Sequence, residues 1–514
     1  MNHVGGFIGR SVSLWRRGEA DPVRLALVEP DGTRISYAEL VDLTRKLQVA
    51  FAAMGLERGD RVAVLLGNGT GILATVLATH RSGLYAVPIN THLTAGEVRF
   101  ILEDSEAAAL VTCFRFAATA EVAASGVSTS RCLSVDGGIP GFLALSDVDG
   151  EVEVLDETRA GALMMYTSGT TGRPRGVWRP LGEQSPDEQA ETAADFFYAR
   201  FPDLPESYGG AHLVVGPMYH AQPLIIGLHA LTRGQPLVLV DGWDSAHVLD
   251  LIGRHQVTTS AMVPTMFLRL LGLPEPVRAA ADCRSLRRVF HAAAPCPIDT
   301  KRRMLEWWGP VLDEYYGSTE VGGTSITSGE WLLKPGSVGR PYAGAEIRIL
   351  DADGQACPAE VPGRVYLRLR WPFEYYKDPV KTMAQRIGDF VTVGDIGYLD
   401  RDGYLFLVDR ESDLIISGGV NIYPAEIEAI LAQHPAVQDA AVVGIPDSEW
   451  GESVHAVVVL PPGTDAAGLD LELMRFCRLH LAAFKCPRSV EFRESLPRLE
   501  SGKLQRGKVR EEFR

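Results

Sequence analysis

Twelve residues, Tyr166-Thr-Ser-Gly-Thr-Thr-Gly-Arg-Pro-Arg-Gly-Val177, crowd glycines, hydroxyls and two arginines into one short stretch. Thr167, Ser168, Gly169, Thr170, Thr171 and Gly172 can turn backbone N–H groups and hydroxyls toward a single point, which suits the oxygens of a phosphate. Arg173 and Arg175 add positive charge beside them. No Gly-x-x-x-x-Gly-Lys-Ser/Thr run occurs in the chain, which argues against a P-loop NTPase. A plain Ser/Gly surface loop shares part of this composition but needs neither the arginines nor so many hydroxyls.

Such a loop needs a stem, and the apolar Ala162-Leu-Met-Met165 predicts a strand leading into it. Upstream, Arg61–Leu66 reads as a strand, Gly71–His80 as a helix and Leu84–Pro88 as a strand. Thr94 with Glu97 three positions later predicts a helix start. This alternation favours parallel α/β layers. From about Gly336 the texture changes to short alternating strands (346–350, 364–369, 403–408) with Gly and Pro turns, a small β-barrel-like module. After Asp409 comes another unit, with a helix over Pro424–Leu431, a strand over Ala440–Gly444 and a Lys/Arg-rich tail. The expected fold is therefore α/β. A large N-terminal domain of layered α/β subdomains plus the barrel-like module spans 1–410, and a small α+β C-terminal domain spans 411–514. No fixed-period repeat is visible.

Composition bounds the partners. At 514 residues the chain is too long for one ordinary core, and its 46% hydrophobic and 22% charged residues are globular averages. A net charge of −15 argues against nucleic acid or an anionic membrane surface as the main partner. The seven cysteines are scattered without a C-x-x-C pair, which predicts small buried hydrophobes in a reducing compartment. Arg10, Arg16 and Arg17 interrupt any signal-peptide core, and Val62–Thr79 is broken by Gly67, Asn68, Gly69 and Gly71, unlike a membrane span. The expectation is a cytoplasmic protein with no integral membrane segment.

The phosphate-type loop resembles that of the adenylate-forming superfamily, which contains acyl-CoA synthetases, firefly luciferase and peptide-synthetase adenylation domains. Further segments match in family order. Pro217-Met-Tyr-His220 is similar to the segment whose aromatic and His line the acyl pocket. His291-Ala-Ala-Ala-Pro-Cys296, with Ala293, Ala294 and Pro295, sits where the family has a Gly-Ala-Pro turn against adenine. Tyr315, Tyr316, Gly317, Ser318, Thr319 and Glu320 resemble the adenine and magnesium segment. Val393-Gly-Asp395 matches the ribose Asp. Asp409-Arg410 with Asp413, Gly418, Gly419, Asn421 and Pro424-Ala-Glu-Ile-Glu428 resembles the inter-domain segment, and Leu496–Lys503 the catalytic lysine loop. The matches run from about residue 35 to 506 and point to the acyl-CoA synthetases, of fatty-acid–CoA ligase type.

The resemblance implies ATP, Mg2+ and CoA. A carboxylate must attack the α-phosphorus although both are anionic, so catalysis is positioning and charge neutralisation. In this reading Glu320 is the hard oxygen ligand for Mg2+, Thr319 adds a hydroxyl, Tyr316 offers a face to adenine, and Asp395 and Arg410 hold the ribose. Lys503 places its ammonium between acyl carboxylate and α-phosphate. Gly418 and Gly419 serve the second half-reaction after the mobile C-terminal domain rotates. Singly, each has a bland reading. Glu320 could be a helix N-terminal acid, Asp395 a turn residue, His220 a core histidine, and Lys503 a solvated charge. Their order and company separate them from these.

The chain departs from the family pattern in places. Arg175 stands where Lys is usual, in a chain with 42 Arg and 8 Lys, and replaces a compact ammonium by a guanidinium fork. Ser412 stands at the pivot, usually Asp or Lys, and Asp409 where Gly commonly precedes the Arg. His291 replaces a small residue and has no assigned role. Tyr219-His-Ala-Gln-Pro223 lacks the Asp that pairs with an amino-acid ammonium. An α-amino acid would bury an unpaired charge there, so the expected acid is hydrophobic, fatty or bulky. The small Val321-Gly-Gly-Thr324 is read as room for its tail, or as a turn. The acid-rich stretch Trp178–Tyr208 is read as a solvated helix face, or as a substrate lip. The acceptor is CoA or a carrier-protein phosphopantetheine supplied in trans, and a homodimer stays open. A non-catalytic nucleotide-binding scaffold would have no use for Glu320, Asp395, Arg410 and Lys503 together.

Overall fold

A computed structural model describes residues 12–125, 131–148, 159–167, 174–201, 209–342, 344–368, 371–410, 413–417, 420–447, 450–498 and 504–513. The fold is mixed α/β, in two units: one comprises residues 1–262, 272–290 and 371–384, the other 263–271, 291–370 and 385–514.

The first unit holds two parallel layers. In one, strands run in the order 143–144, 132–134, 107–112, 61–65, 85–88 and 162–163, all parallel. In the other, Val257–Met262, Ala211–Val214, Leu237–Leu239 and Leu25–Val28 are parallel, with Arg34–Ser36 antiparallel at the edge. A shared core lies between the layers, where Leu27, Val214 and Leu237 of one join Val62, Val64 and Val111 of the other. Helix α1 (Thr70–Arg81) sits in that core. Its apolar residues run round the helix, as burial on all sides requires. It has no side-chain cap of its own. Instead the Glu29 carboxylate accepts the Thr70 N–H at 2.8 Å, placing an anion at the positive end of the helix. The expected Thr94–Glu97 start is a complete capping box.

Helix α2 (Pro186–Tyr198) corrects the expectation of a solvated acidic face. Asp187 pairs with Arg81 at 2.8 Å, Glu191 with Arg16 at 3.3 Å and Asp195 with Arg233 at 3.3 Å. Its apolar side buries Ala194, Phe197 and Tyr198, with the Phe197 ring 5.4 Å from His229 on helix α3 (Ala221–Thr232). The acids thus hold the helix onto the domain. The cysteines are all free, but only Cys477 and Cys486 are buried.

Antiparallel strands dominate the second unit. The barrel-like sheet joins strands 347–350, 363–368, 386–387, 390–391, 395–399 and 405–410. The C-terminal sheet centres on a long hairpin, Asp439–Asp447 with Gly451–Val459, plus 415–417, 420–422 and the parallel strand 489–493. Both faces of that hairpin are covered, so it reads as a nearly unbroken apolar run. Ala440 and Val442 pack with Ile427 and Leu431, while Ala441 and Val443 pack with Val509.

Candidate active site

In the first unit, strands β1 (Met165–Thr167) and β2 (Arg175–Trp178) form an antiparallel hairpin stem with Thr167 opposite Arg175 and Tyr166 opposite Gly176. The predicted strand is split, because Ala162–Leu163 belongs to the parallel sheet and β1 leaves it. Ser168, Gly169, Thr170, Thr171, Gly172 and Arg173 lie outside the described residues. The Tyr166 hydroxyl donates to Asp104 Oδ2 at 2.6 Å, and burial raises its pKa further above the ordinary phenol range. A Cβ on Gly176 would come within 2.5 Å of Met164 Cε and 3.1 Å of the Tyr166 ring, so a side chain here would require Met164 to move. Arg175 is held on the stem, with Nε 3.8 Å from Asp378 Oδ2 and its guanidinium 5.9 Å from the Tyr375 ring centroid.

Also in the first unit, His220 stands at the position just before α3, with no capping hydrogen bond from its side chain. Its ring lies 4.7 Å from that of Tyr219, and its buried Nε2 has no hydrogen-bond partner among the described residues. Burial lowers its pKa to about 4, so it is a neutral imidazole near pH 7. Asn68, expected only to interrupt an apolar stretch, sets the turn before it. Its Oδ1 accepts the Met218 N–H at 2.7 Å, and its Nδ2 donates to Gly216 O at 3.0 Å and Val240 O at 2.8 Å. The signal was a lone amide between two glycines just after a strand.

Within the second unit, β3 (Leu312–Gly317) and β4 (Gly322–Ile326) flank a tight turn. Ser318 N–H donates to Val321 O at 2.7 Å, and Ser318 Oγ accepts the N–H groups of Glu320 and Val321, each at 3.2 Å. Glu320 is buried in this turn between strands, so it is not a helix N-terminal acid, and Thr319 beside it is half-buried. The Gly322-Gly323 pair does not leave open room. A Cβ on Gly322 would strike the Tyr342 hydroxyl, and one on Gly323 would meet Leu367 at 3.1 Å.

Three of the sequence-predicted nucleoside residues come together here. The Tyr316 hydroxyl donates to Asp395 Oδ2 at 2.6 Å. Asp395 is buried at the start of β5 (Asp395–Leu399), directly across from Arg410 at the end of β6 (Leu405–Arg410). Of the turn proposed against adenine, Ala293 has φ 72°, a left-handed conformation that disfavours any side chain. His291 is fully buried, its Nε2 3.5 Å from Glu314 Oε2, the oxygen that also accepts from Lys301 Nζ at 2.7 Å. Burial pushes the His291 pKa well down and that of Glu314 up. His291 is therefore a neutral member of a buried polar cluster.

Helices α4 (Pro424–Leu431) and α5 (Arg506–Glu511) close the second unit's share. The Arg506 guanidinium reaches Glu428 at 2.9 Å, Asp413 at 2.8 Å and Asp409 at 3.6 Å. The sequence reading named the three acids but missed the arginine that gathers them. Ser412, Gly418, Gly419 and Lys503 lie outside the described residues, as does the Arg410 side chain. Among the described residues no three His, Cys, Asp or Glu side chains cluster as a metal cage. Mg2+ usually needs only one or two carboxylates besides phosphate and water, and Glu320 can supply one. No described helix is long and apolar enough to cross a membrane.

Residues 14–376 match the family of AMP-binding enzymes, and residues 426–503 the AMP-binding enzyme C-terminal domain. A feruloyl-CoA synthase from Streptomyces sp is 34% identical over 509 residues, covering 96% of this chain and 98% of the relative. The fatty acid–[acyl-carrier-protein] ligase ScoC of Streptomyces coeruleorubidus is 34% identical over 501 residues, covering 94% and 92%. The solved structure of o-succinylbenzoate CoA synthetase (MenE) from Bacillus subtilis, in complex with the acyl-adenylate intermediate OSB-AMP, superposes with a TM-score of 0.79 at 30% identity, covering 97% and 98%. The chain belongs to the adenylate-forming AMP-binding enzymes, close to the acyl-CoA synthetases, and is an acid–thiol ligase.

Proposed function

We propose that this protein uses ATP to activate a hydrophobic carboxylic acid, fatty or bulky, and passes the acyl group to CoA. The acid's carboxylate oxygen attacks the α-phosphorus and pyrophosphate leaves. The thiol sulfur then attacks the acyl carbonyl and AMP leaves. The observation that carries this reading is the hydrogen bond from the Tyr316 hydroxyl to the buried Asp395 carboxylate, on a strand paired with the one that ends at Arg410. Tyr316 and the Ala293–Pro295 turn take adenine, and Asp395 and Arg410 the ribose. Thr167, Ser168, Gly169, Thr170, Thr171, Gly172 and Arg175 take the phosphates. Mg2+ on Glu320 would neutralise charge on the leaving pyrophosphate, and Lys503 would orient the carboxylate against the α-phosphate. Neutral His220 lines the acyl side without adding charge. In this reading the chain divides into 1–410 and 411–514, pivots at Ser412 and works in the cytoplasm.

A second acceptor, a phosphopantetheine on a carrier protein, is favoured by the likeness to the acyl-carrier-protein ligase. A panel of acids assayed by ATP–pyrophosphate exchange, then with CoA or a holo-carrier for thioester, tests the function and separates the acceptors.

A further inference from the structure

Arg506 opens α5 three positions after Lys503 in the chain. Its side chain is 15% exposed and meets carboxylates from three places. Asp413 and Glu428 belong to the C-terminal part of the chain, at 2.8 and 2.9 Å. Asp409, at 3.6 Å, belongs to β6, beside Arg410 and so next to the strand pair that holds Asp395. Asp409 is 2% exposed, and its other oxygen accepts the Ala425 N–H at 2.9 Å. Two carboxylates already over-neutralise one guanidinium, and a third buried acid adds like-charge repulsion. Asp409 joins Arg506 to β6 and also accepts an N–H at the start of α4, so it sits where the C-terminal part of the chain meets that strand.

We propose that Arg506 is a positioning residue for acyl-adenylate formation. Through Asp409 it ties the segment carrying Lys503 to the strand carrying Arg410. This rests on the reading of Lys503 given above. The planar fork suits the task because its donors point in fixed and separate directions, which an ammonium cannot reproduce.

Two variants test it. Asp409→Asn keeps the shape and an oxygen for the Ala425 N–H, and it leaves Asp413 and Glu428 to neutralise Arg506. Arg506→Lys keeps the charge but not the fork. In both, acid-dependent pyrophosphate exchange should fall about 10- to 100-fold, the loss expected for a misplaced catalytic group. The fall should lie in kcat more than in the KM for ATP. Thioester formation from pre-formed acyl-AMP should stay within about twofold, since that step does not use Lys503. Equal loss of both half-reactions, or unchanged exchange in both variants, overturns the proposal. Absence of exchange in the parent protein overturns the parent reading instead, so the two failures are distinguishable.

Discussion

The Tyr316 hydroxyl donates a 2.6 Å hydrogen bond to Asp395 Oδ2, joining β3 to β5. The bond orients a buried carboxylate. Tyr316→Phe should keep the ring for adenine but release the carboxylate. A hydrogen bond to a charged group contributes about 1.5–3 kcal/mol, so the KM for ATP should rise about 10- to 100-fold. Initial-rate kinetics of exchange read this directly, and an unchanged KM would remove Asp395 from the nucleotide site.

Lys503→Ala should lower adenylation by two to four decades, on the order of 3–5 kcal/mol of transition-state stabilisation. Supplied acyl-AMP should still be converted to thioester. Equal loss of both steps would make this a structural lysine.

Asn68 satisfies one N–H and two carbonyls around the turn that presents His220. Asn68→Ala leaves those groups unpaired, and each such buried group costs about 1–3 kcal/mol. Urea unfolding should show a loss of at least about 2 kcal/mol. A loss under about 0.5 kcal/mol, the range of ordinary surface changes, would show that the turn holds itself.

Acid should destabilise the protein through its buried histidines. Burial holds His212 and His229 at about 3 and His220 at about 4, below the ordinary 6.5. Between about pH 6.5 and 4 the unfolded chain binds protons on these rings while the folded chain does not. Stability therefore falls as pH falls, by up to about 1.4 kcal/mol per pH unit for each ring. Melting temperatures measured from pH 7 to 4.5 should decline, and His212→Asn should flatten the slope. An identical slope in that variant would mean His212 is already charged in the fold.

Much of this was legible because it is local. Pro424 at the helix start and the spacing of Ile427 and Leu431 announced α4 residue for residue. Thr94 and Glu97 announced their capping box. Tyr316, Asp395 and Arg410 were named through the family resemblance and not through any local pattern, since Tyr316 and Asp395 lie 79 positions apart. What escaped depends on distant partners. Asn68 acts on groups 148 to 172 positions away, and Arg506 on acids 78 and 93 positions away, with no periodicity to signal either. The acids of α2 looked solvated because Arg81, Arg16 and Arg233 are remote in sequence. For Gly322 and Gly323 both room for a tail and a turn stayed open, because the Tyr342 and Leu367 that fill the space come from later in the chain.

Acid-dependent formation of acyl-AMP is read by ATP–pyrophosphate exchange in the parent protein and in Glu320→Ala. Magnesium-dependent exchange is expected with at least one hydrophobic acid, abolished in the Glu320→Ala protein while its circular dichroism and melting temperature stay unchanged. Exchange that persists undiminished in that variant would take Glu320, and the magnesium chemistry placed on it, out of the adenylation step.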